Sequence, residues 1–536
     1  DSNDSDGLRK CLAEEFSCLY LFHLRGNQRT SGELSRQEGG KIFGSGSRAP
    51  IAISILVKNP NAKQKGCIYF YDIGDYLSRE EKLSKISDFG SIASLLQQGL
   101  WSTINPNEHY DWVSQRDGSY EAFIPTDIKG DGELKIFAKS SFGVVTLRDA
   151  WVYNYSQSNL KRNIKNTISF YNSEISRLES AMTSNSQIDV DKFVLTDPAK
   201  ISWGVVMKNN LAKKKRAEFD AGKICNAIYR PFTRTNLYKD KLLNHSLSSM
   251  PRFFPDDSSS NLVICVTGRG STKQFSALVV SLLPDLEMIS KGQCFPLKIY
   301  DAKEFGANSS DLFSDHNDHA RKFTVKDGIT DEGLKHFTDA YNGANISKED
   351  LFYYIYGLLH SEEYKARYAD NLSKELPRIP AVKKFDDFMA FSAAGRKLAD
   401  LHLNYETVEP YAVSIEGGAL LLSTFTDSDY YVTQMKFASK ADKSTVIYNH
   451  KITMHNIPVE AYEYVVNGKP ALEWVMERQA VTTHKDSGIV NDANLWAKET
   501  MGDAAYPLKL FQRVITVSLE TMKIVKALPK LEIETN

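Results

Sequence analysis

Arg25, Arg29, Arg36, Lys41 and Arg48 recur through one glycine-rich stretch, LRGNQRTSGELSRQEGGKIFGSGSR, which spans Leu24 to Arg48. It holds six glycines and five Lys/Arg against two Glu, and shows no apolar periodicity before Ile51. Glycines permit tight turns, and guanidinium groups between them offer planar, bidentate donors suited to phosphates and purine edges. Two readings stand at this level: a loop that grips an anion, or a solvated surface loop.

Other stretches carry related chemistry. YRPFTRTNLYKD interleaves Tyr229, Phe232 and Tyr238 with Arg230 and Arg234. Such a mixture can stack on bases and hold phosphates, or can form a core corner with snorkelling arginines. GRGSTK, at Gly268–Lys273, follows the apolar run NLVICVT. It lacks the spacing of a phosphate-binding loop, in which Lys directly follows the last glycine. It reads instead as a turn whose Arg269 and Lys273 can touch a backbone phosphate. KKKR, at Lys213–Arg216, reads as a solvated helix face or a sequence-independent phosphate contact. FGSG at Phe43–Gly46 has no clear acidic partner at the distance a ribose site needs. The histidines His360, His402 and His484 stand near helix ends or turns without ligand-like spacing.

The elements that must position these groups follow from hydrophobic periodicity. Asp6–Glu15 reads as a helix with Asp6 as N-cap, and Phe16–Leu24 as a buried strand. Two more strands, Ala49–Val57 and Cys67–Tyr71, read as an antiparallel hairpin with a long connection. Helical pattern follows from Tyr76 to about Asn107, with another long helix over Leu160–Thr183 and a polar linker over Ser184–Lys200. Leu211–Glu218 reads as helical and carries KKKR. Strands are expected at NLVICVTG and FSALVVSLL, a polar loop at Ser309–His319, and helices at Leu351–Tyr368 and Phe385–His402. LPRIP should end the former. The tail mixes short strands (YVTQMKF, STVIYN, KITMHNI) with helical AYEYVV and LKLFQRVITVSLETMKIV.

Composition bounds the rest. At 536 residues the chain has room for several domains, and a net charge of −1 makes any anion-binding surface a matter of local clustering. Six scattered cysteines without a C-x-x-C pair suggest neither a zinc site nor a disulfide framework. No signal peptide or apolar run near 18 residues stands out, so a cytoplasmic protein is expected, with no membrane partner. The chain opens on Asp1 rather than Met, as a piece of a longer polypeptide would.

HLRGNQRTSGELSRQEGGKIFG…SRAPIAISILVKNP resembles the end of the methyltransferase domain of the Type ISP restriction–modification enzymes. WVSQRDGSYEAFIP, GVVTLRDAWVYN, YRPFTRTNLYKD, LVICVTGRGSTKQFSALV, YYIYGLLHSEEYKARYADNLSKELPRIP, LADLHLNYE, EYVVNGKPALEWVMERQ and SGIVNDAN resemble the C-terminal half of that family, in order. These enzymes join a nuclease, a helicase-like motor, a coupler, an adenine-N6 methyltransferase and a target recognition domain in one polypeptide. The resemblance implies an α/β fold: the end of a Rossmann-like class I methyltransferase sheet, followed by a mixed α+β target recognition domain. Residues 1–75 would be the methyltransferase part and 76–215 a connecting helical region. Residues 216–404 would form the recognition core, and 405–536 its C-terminal part.

The resemblance further implies double-stranded DNA as partner, together with methyltransferase, helicase and nuclease domains of the same polypeptide. The glycine-containing loop that holds S-adenosylmethionine and the N-P-P-type tetrapeptide that holds the target adenine would both lie upstream of Asp1: no N-P-P or D-P-P occurs here, and Asn59-Pro60 is followed by Asn61. ATP and Mg would serve only the upstream motor and nuclease. Arg25, Arg29, Lys41 and Arg48 would neutralise phosphates. Asn27 or Gln28 would bond a base edge or sugar, and Phe43 would stack near an extruded adenine or anchor the loop. Arg230, Arg234, Arg269 and Lys273 would contact DNA in the recognition region. A non-catalytic module coupling the methyltransferase to the motor is the alternative, as is part of a related phage-defence methyltransferase without a motor.

Overall fold

A computed structural model describes residues 5–534 except 31, 45, 129, 131, 184–186, 257, 304–322, 419–421 and 440–441, so the loop expected at 309–319 lies outside the described residues. The N-terminal sheet runs, in spatial order, Ile51–Val57, Cys18–Arg25, Cys67–Asp72 and Ser102–Ile104. Cys18–Arg25 is its central strand, antiparallel to Ile51–Val57 and parallel to Cys67–Asp72. The expected hairpin is therefore wrong. Cys18–Arg25 lies between the two strands, because its alternating side chains must be covered on both faces. Leu19 packs with Ile68 and Trp112 on one face, beside Leu12 of helix Asp6–Glu15. Phe22 and Leu24 pack with Ile42 and Ile73 on the other, beside Ile86 and Phe89 of helix Arg79–Phe89. The result is a helix–sheet–helix sandwich, the layered arrangement expected of an α/β unit. Ile51–Val57 forms its edge, with Ile53, Ile55, Leu56 and Val57 exposed.

The larger part of the chain is built on two antiparallel-rich sheets. One has the order Ala277–Val280, Val263–Val266, Gln293–Pro296, Ser141–Phe142. Its first three strands are buried on both faces, and the period-two alternation of side chains feeds two separate cores. Val263, Cys265, Leu278, Val280 and Cys294 join the core that also holds helix Gln157–Met182. Ile264, Val266, Val279 and Phe295 join the core of helices Lys348–Leu358 and Phe385–Leu403. Those two helices pack so closely that a Cβ on Gly395 would lie 1.9 Å from the Tyr353 carbonyl oxygen. The second sheet has the order Leu283–Pro284, Ile224–Arg230, Thr233–Tyr238, Tyr153–Asn154. Helix Tyr506–Lys526 contributes Phe511 and Val514 to the first core and Val525 to the second. The first core runs from Val144 to Val517 and so draws on all three regions set apart at 215 and 404.

Several local expectations need correcting. Residues 32–38 of the Gly/Arg stretch form a helix, Gly32–Glu38, rather than open loop. KKKR is not helical: helix Val205–Ala212 stops at Lys213, Lys214 turns left-handed (φ 56°), and Arg216 pairs with Glu179 of the long helix at 2.8 Å. The expected helix over 351–368 is two helices, Lys348–Leu358 and Glu362–Arg367, the second restarted by Ser361 as N-cap. AYEYVV is a 3-10 turn, Val459–Tyr462, leading into a tight hairpin of Val465–Val466 with Lys469–Pro470. Its two turn residues, Asn467 and Gly468, both have positive φ, which is the backbone this two-residue connection demands. No helix among the described residues is long and apolar enough to cross a membrane.

Candidate nucleic-acid interface

The Gly/Arg segment leaves the central strand at a bulge where Arg25 itself is left-handed (φ 56°). Arg25 Nε donates to Asp72 Oδ1 at 2.6 Å, and its Nη1 pairs with Asp75. Burial opposes the guanidinium charge, but these carboxylates outweigh it and raise the pKa. Arg25 therefore anchors the segment to its own sheet through Asp72 and Asp75.

The rest of the segment is tied down through its backbone. Gly26 N donates to Glu38 O, and Asn27 N to Glu38 Oε2 at 2.8 Å. Asn27 Oδ1 accepts from Arg29 N at 3.0 Å, so this amide closes a local turn. Gln28 N bonds Arg48 O, and Arg48 Nη2 returns to Gln28 O at 2.8 Å, zipping the two ends of the stretch together. From below, the buried Lys82 donates to Glu38 O and Gly40 O at 2.7 and 2.9 Å. This scaffold presents Arg29 and Arg48 exposed and Lys41 half-buried. Phe43 is 58% exposed, so it is not a buried anchor.

Two other turns meet this segment. Thr272 Oγ1, in the turn after strand Val263–Val266, lies 3.4 Å from the Arg29 carbonyl oxygen. A Cβ on Gly32 would lie 2.7 Å from the carbonyl oxygen of Gly468, in the Asn-Gly hairpin. That hairpin is locked in turn: Asn467 N donates to Ser276 Oγ at 2.9 Å, and Asn467 Oδ1 accepts from Ser290 N at 3.0 Å. Three segments distant in sequence thus bring Arg48, Lys273 and Lys469 into one electrostatic neighbourhood. The Lys273 pKa is lowered first by burial and then by the charges of Lys469 and Arg48. Glu477, with which Lys469 Nζ pairs, and Glu287 offset part of this charge, and the cluster of three cations suits an anion. Arg269 stands exposed on the same turn, beside Lys291, whose Nζ caps Gly270 O at 2.7 Å. Lys469 escaped the sequence reading, although its signal was present: Asn-Gly after the apolar pair Val465–Val466 (VVNGKP) marks a hairpin.

Arg230 and Arg234 belong elsewhere. Arg230 Nη1 lies 2.7 Å from Asp285 Oδ1 and its Nη2 3.3 Å from Asp149 Oδ2, with the guanidinium over the Tyr229 ring. Arg234 Nη1 pairs with Glu406 Oε2 at 2.8 Å. Both guanidinium groups are largely buried and held by these carboxylates, so YRPFTRTNLYKD forms a corner of the core. A buried charge left unpaired would be costly, which is why each has a carboxylate.

Among the described residues, one group brings metal-ligand atoms together: Glu108, His109 and Glu121, within 4.8 Å of one another at the surface. His109 Nε2 is already 3.1 Å from Glu121 Oε1. Asn59, of the Asn59-Pro60 step, closes on its own turn, its Oδ1 accepting from Asn61 N at 3.0 Å.

Residues 135–510 match the Type ISP C-terminal specificity domain. The chain belongs to this family of restriction–modification specificity domains. Among solved structures, it is similar over its whole length to a nuclease-deletion mutant of the Type ISP restriction-modification enzyme LlaGI in complex with a DNA substrate mimic (38% identity, TM-score 0.83). It is also similar throughout to the ATP-dependent Type ISP restriction-modification enzyme LlaBIII bound to DNA (32%, 0.83), and to DrdV in a DNA complex (28%, 0.77). The chain spans 38%, 32% and 50% of those chains, respectively. No curated protein matches it.

Proposed function

We propose that this chain recognises a specific sequence in double-stranded DNA as the specificity part of a Type ISP restriction–modification enzyme. Residues 1–75 complete the sheet of its adenine-N6 methyltransferase. In the parent polypeptide, S-adenosylmethionine is held by other residues, and ATP with Mg drives translocation and cleavage of unmodified DNA from further domains. The setting is the cytoplasm, and the biological role is defence against phage.

The observation that carries this reading is the convergence of the Gly/Arg segment, the 268–273 turn and the 467–469 hairpin, which gathers Arg48, Lys273 and Lys469. In a chain whose net charge is −1, such a gathering is a local device. Phosphate contacts of this kind position a duplex, while specificity must come from side chains facing the bases. That the solved relatives are DNA complexes supports the same reading. The exposed apolar edge strand Ile51–Val57 favours an additional coupling role, since such an edge is normally covered by further protein.

The test is selection from a randomised duplex library by the parent polypeptide, followed by anisotropy titrations over a salt series. Enrichment of one motif, bound far more tightly than scrambled duplex, is expected. Equal affinity for selected and scrambled duplexes at moderate salt would remove the recognition role.

A further inference from the structure

Directly beyond the 268–273 turn lies a cleft of about 830 Å³ that the contacts above do not use. Its apolar wall is Phe142, Ile128 and Leu286, and Arg269 and Lys291 line it together with the carboxylate of Glu287. Phe142 is 51% exposed although it belongs to a buried sheet, where it stands opposite Gln293. The polar wall is a fixed chain of side chains. Gln293 Nε2 donates to Ser140 Oγ at 2.8 Å, Ser140 Oγ donates to Asp127, and Lys135 Nζ holds the same carboxylate at 3.1 Å. The side chains of this wall are held by one another and by the sheet, so the cleft is preorganised.

Each wall has a distinct chemical use. An exposed aromatic ring offers an apolar contact to a base pair's groove edge, such as a thymine methyl, and the cations at the rim suit a phosphate. The inner wall presents acceptors, the Asp127 carboxylate and the Gln293 amide oxygen. Carboxylate and amide side chains of this kind pair with the exocyclic amino groups of cytosine and adenine in the major groove. The cationic neighbourhood of Arg48, Lys273 and Lys469 abuts one side of the 268–273 turn, while Arg269 projects from that turn into the cleft rim.

We propose that this cleft is a base-reading site, which takes an amino-bearing base (adenine or cytosine) against Phe142 and reads it through the Gln293–Ser140–Asp127 chain, with Arg269 on the adjacent phosphate. This rests on the DNA-recognition reading above. The experiment is a titration of the parent polypeptide and its variants against the selected duplex and each single-base-pair substitution of it. Phe142→Ala and Gln293→Leu should each lose roughly tenfold or more of discrimination at one position occupied by adenine or cytosine, with binding to scrambled duplex unchanged. Arg269→Ala should weaken specific and scrambled binding alike and reduce the salt slope by about 0.9.

Because Gln293 is nearly buried, photocrosslinking of the wild-type protein to duplexes carrying 5-iodocytosine or 8-azidoadenine provides a readout that does not depend on a variant folding. The peptide containing Phe142 should be the one labelled from that same position. Full discrimination at every position in Phe142→Ala, or crosslinks that all map elsewhere, would overturn the base-reading site while leaving recognition intact. Wild-type binding without sequence preference would overturn both.

Discussion

The Nη1 atom of Arg230 lies 2.7 Å from Oδ1 of Asp285, with the two side chains only 14% and 4% exposed. Burial works against the guanidinium charge, yet Asp285, Tyr229 and Asp149 outweigh it and hold Arg230 firmly protonated. Asp285 follows strand Leu283–Pro284, which pairs with the strand carrying Arg230, so the ion pair joins neighbouring parts of one sheet. Removing one partner of a buried pair leaves the other charge unpaired. Arg230→Ala should therefore cost about 3–5 kcal/mol in urea denaturation. A loss below about 1 kcal/mol, accompanied by weakened DNA binding, would return Arg230 to the interface.

His360 and His402 give the protein an acid-sensitive core. His402 Nδ1 is 2.6 Å from the Tyr356 hydroxyl and its Nε2 2.9 Å from Thr521 Oγ1, while His360 Nδ1 is 2.8 Å from the Tyr356 carbonyl oxygen. Burial lowers the pKa of His360 to about 4, and that of His402 lies well below its ordinary value. Both are depressed relative to the unfolded chain, so their contribution to stability is complete above about pH 6.5 and is lost as pH falls toward 4. Unfolding free energy should drop by about 3 kcal/mol for His360 alone across that window. His360→Asn should flatten the profile between pH 6.5 and 4; an unaltered slope would remove His360 from the account.

Gly39 controls how the Gly/Arg segment is seated. Its φ is +66°, and a Cβ there would lie 2.2 Å from the Leu77 carbonyl oxygen. Gly39→Ala should cost about 1–3 kcal/mol locally, because neither backbone can give way cheaply. Amide exchange across residues 26–48 should accelerate while the two large cores keep their protection. Unchanged exchange in that segment would show that its seat does not depend on Gly39.

Arg29 and Arg48 should behave as phosphate contacts and Arg25 as an anchor. Arg29→Ala and Arg48→Ala should each reduce the slope of log K against log salt by about 0.9, equally for all duplex sequences. Arg25→Ala should instead unseat the segment from Asp72 and Asp75, raising amide exchange there before any change in salt slope is resolved. A sequence-dependent effect of Arg48→Ala would make it a base reader.

Helix Phe385–Leu403 and the strands around Val263–Val266 were legible in sequence, because a period of 3.6 or 2 and a bounding turn are local properties. Glycine with arginine in one stretch marked a segment with chemical potential for the same reason. The fate of each arginine was not legible. Arg29 and Arg230 have the same donors, and what separates them is a carboxylate 55 residues from Arg230, brought beside it by strand pairing. The hairpin expected between Ile51–Val57 and Cys67–Asp72 failed likewise, since pairing is a choice among strands and the central one was encoded earlier in the chain. By itself the sequence determined most of the longer helices and strands, where cations were concentrated, and the family resemblance. Only the tertiary structure decided which cations meet carboxylates and which meet one another, because charge pairing and burial are set by long-range packing that no local pattern records.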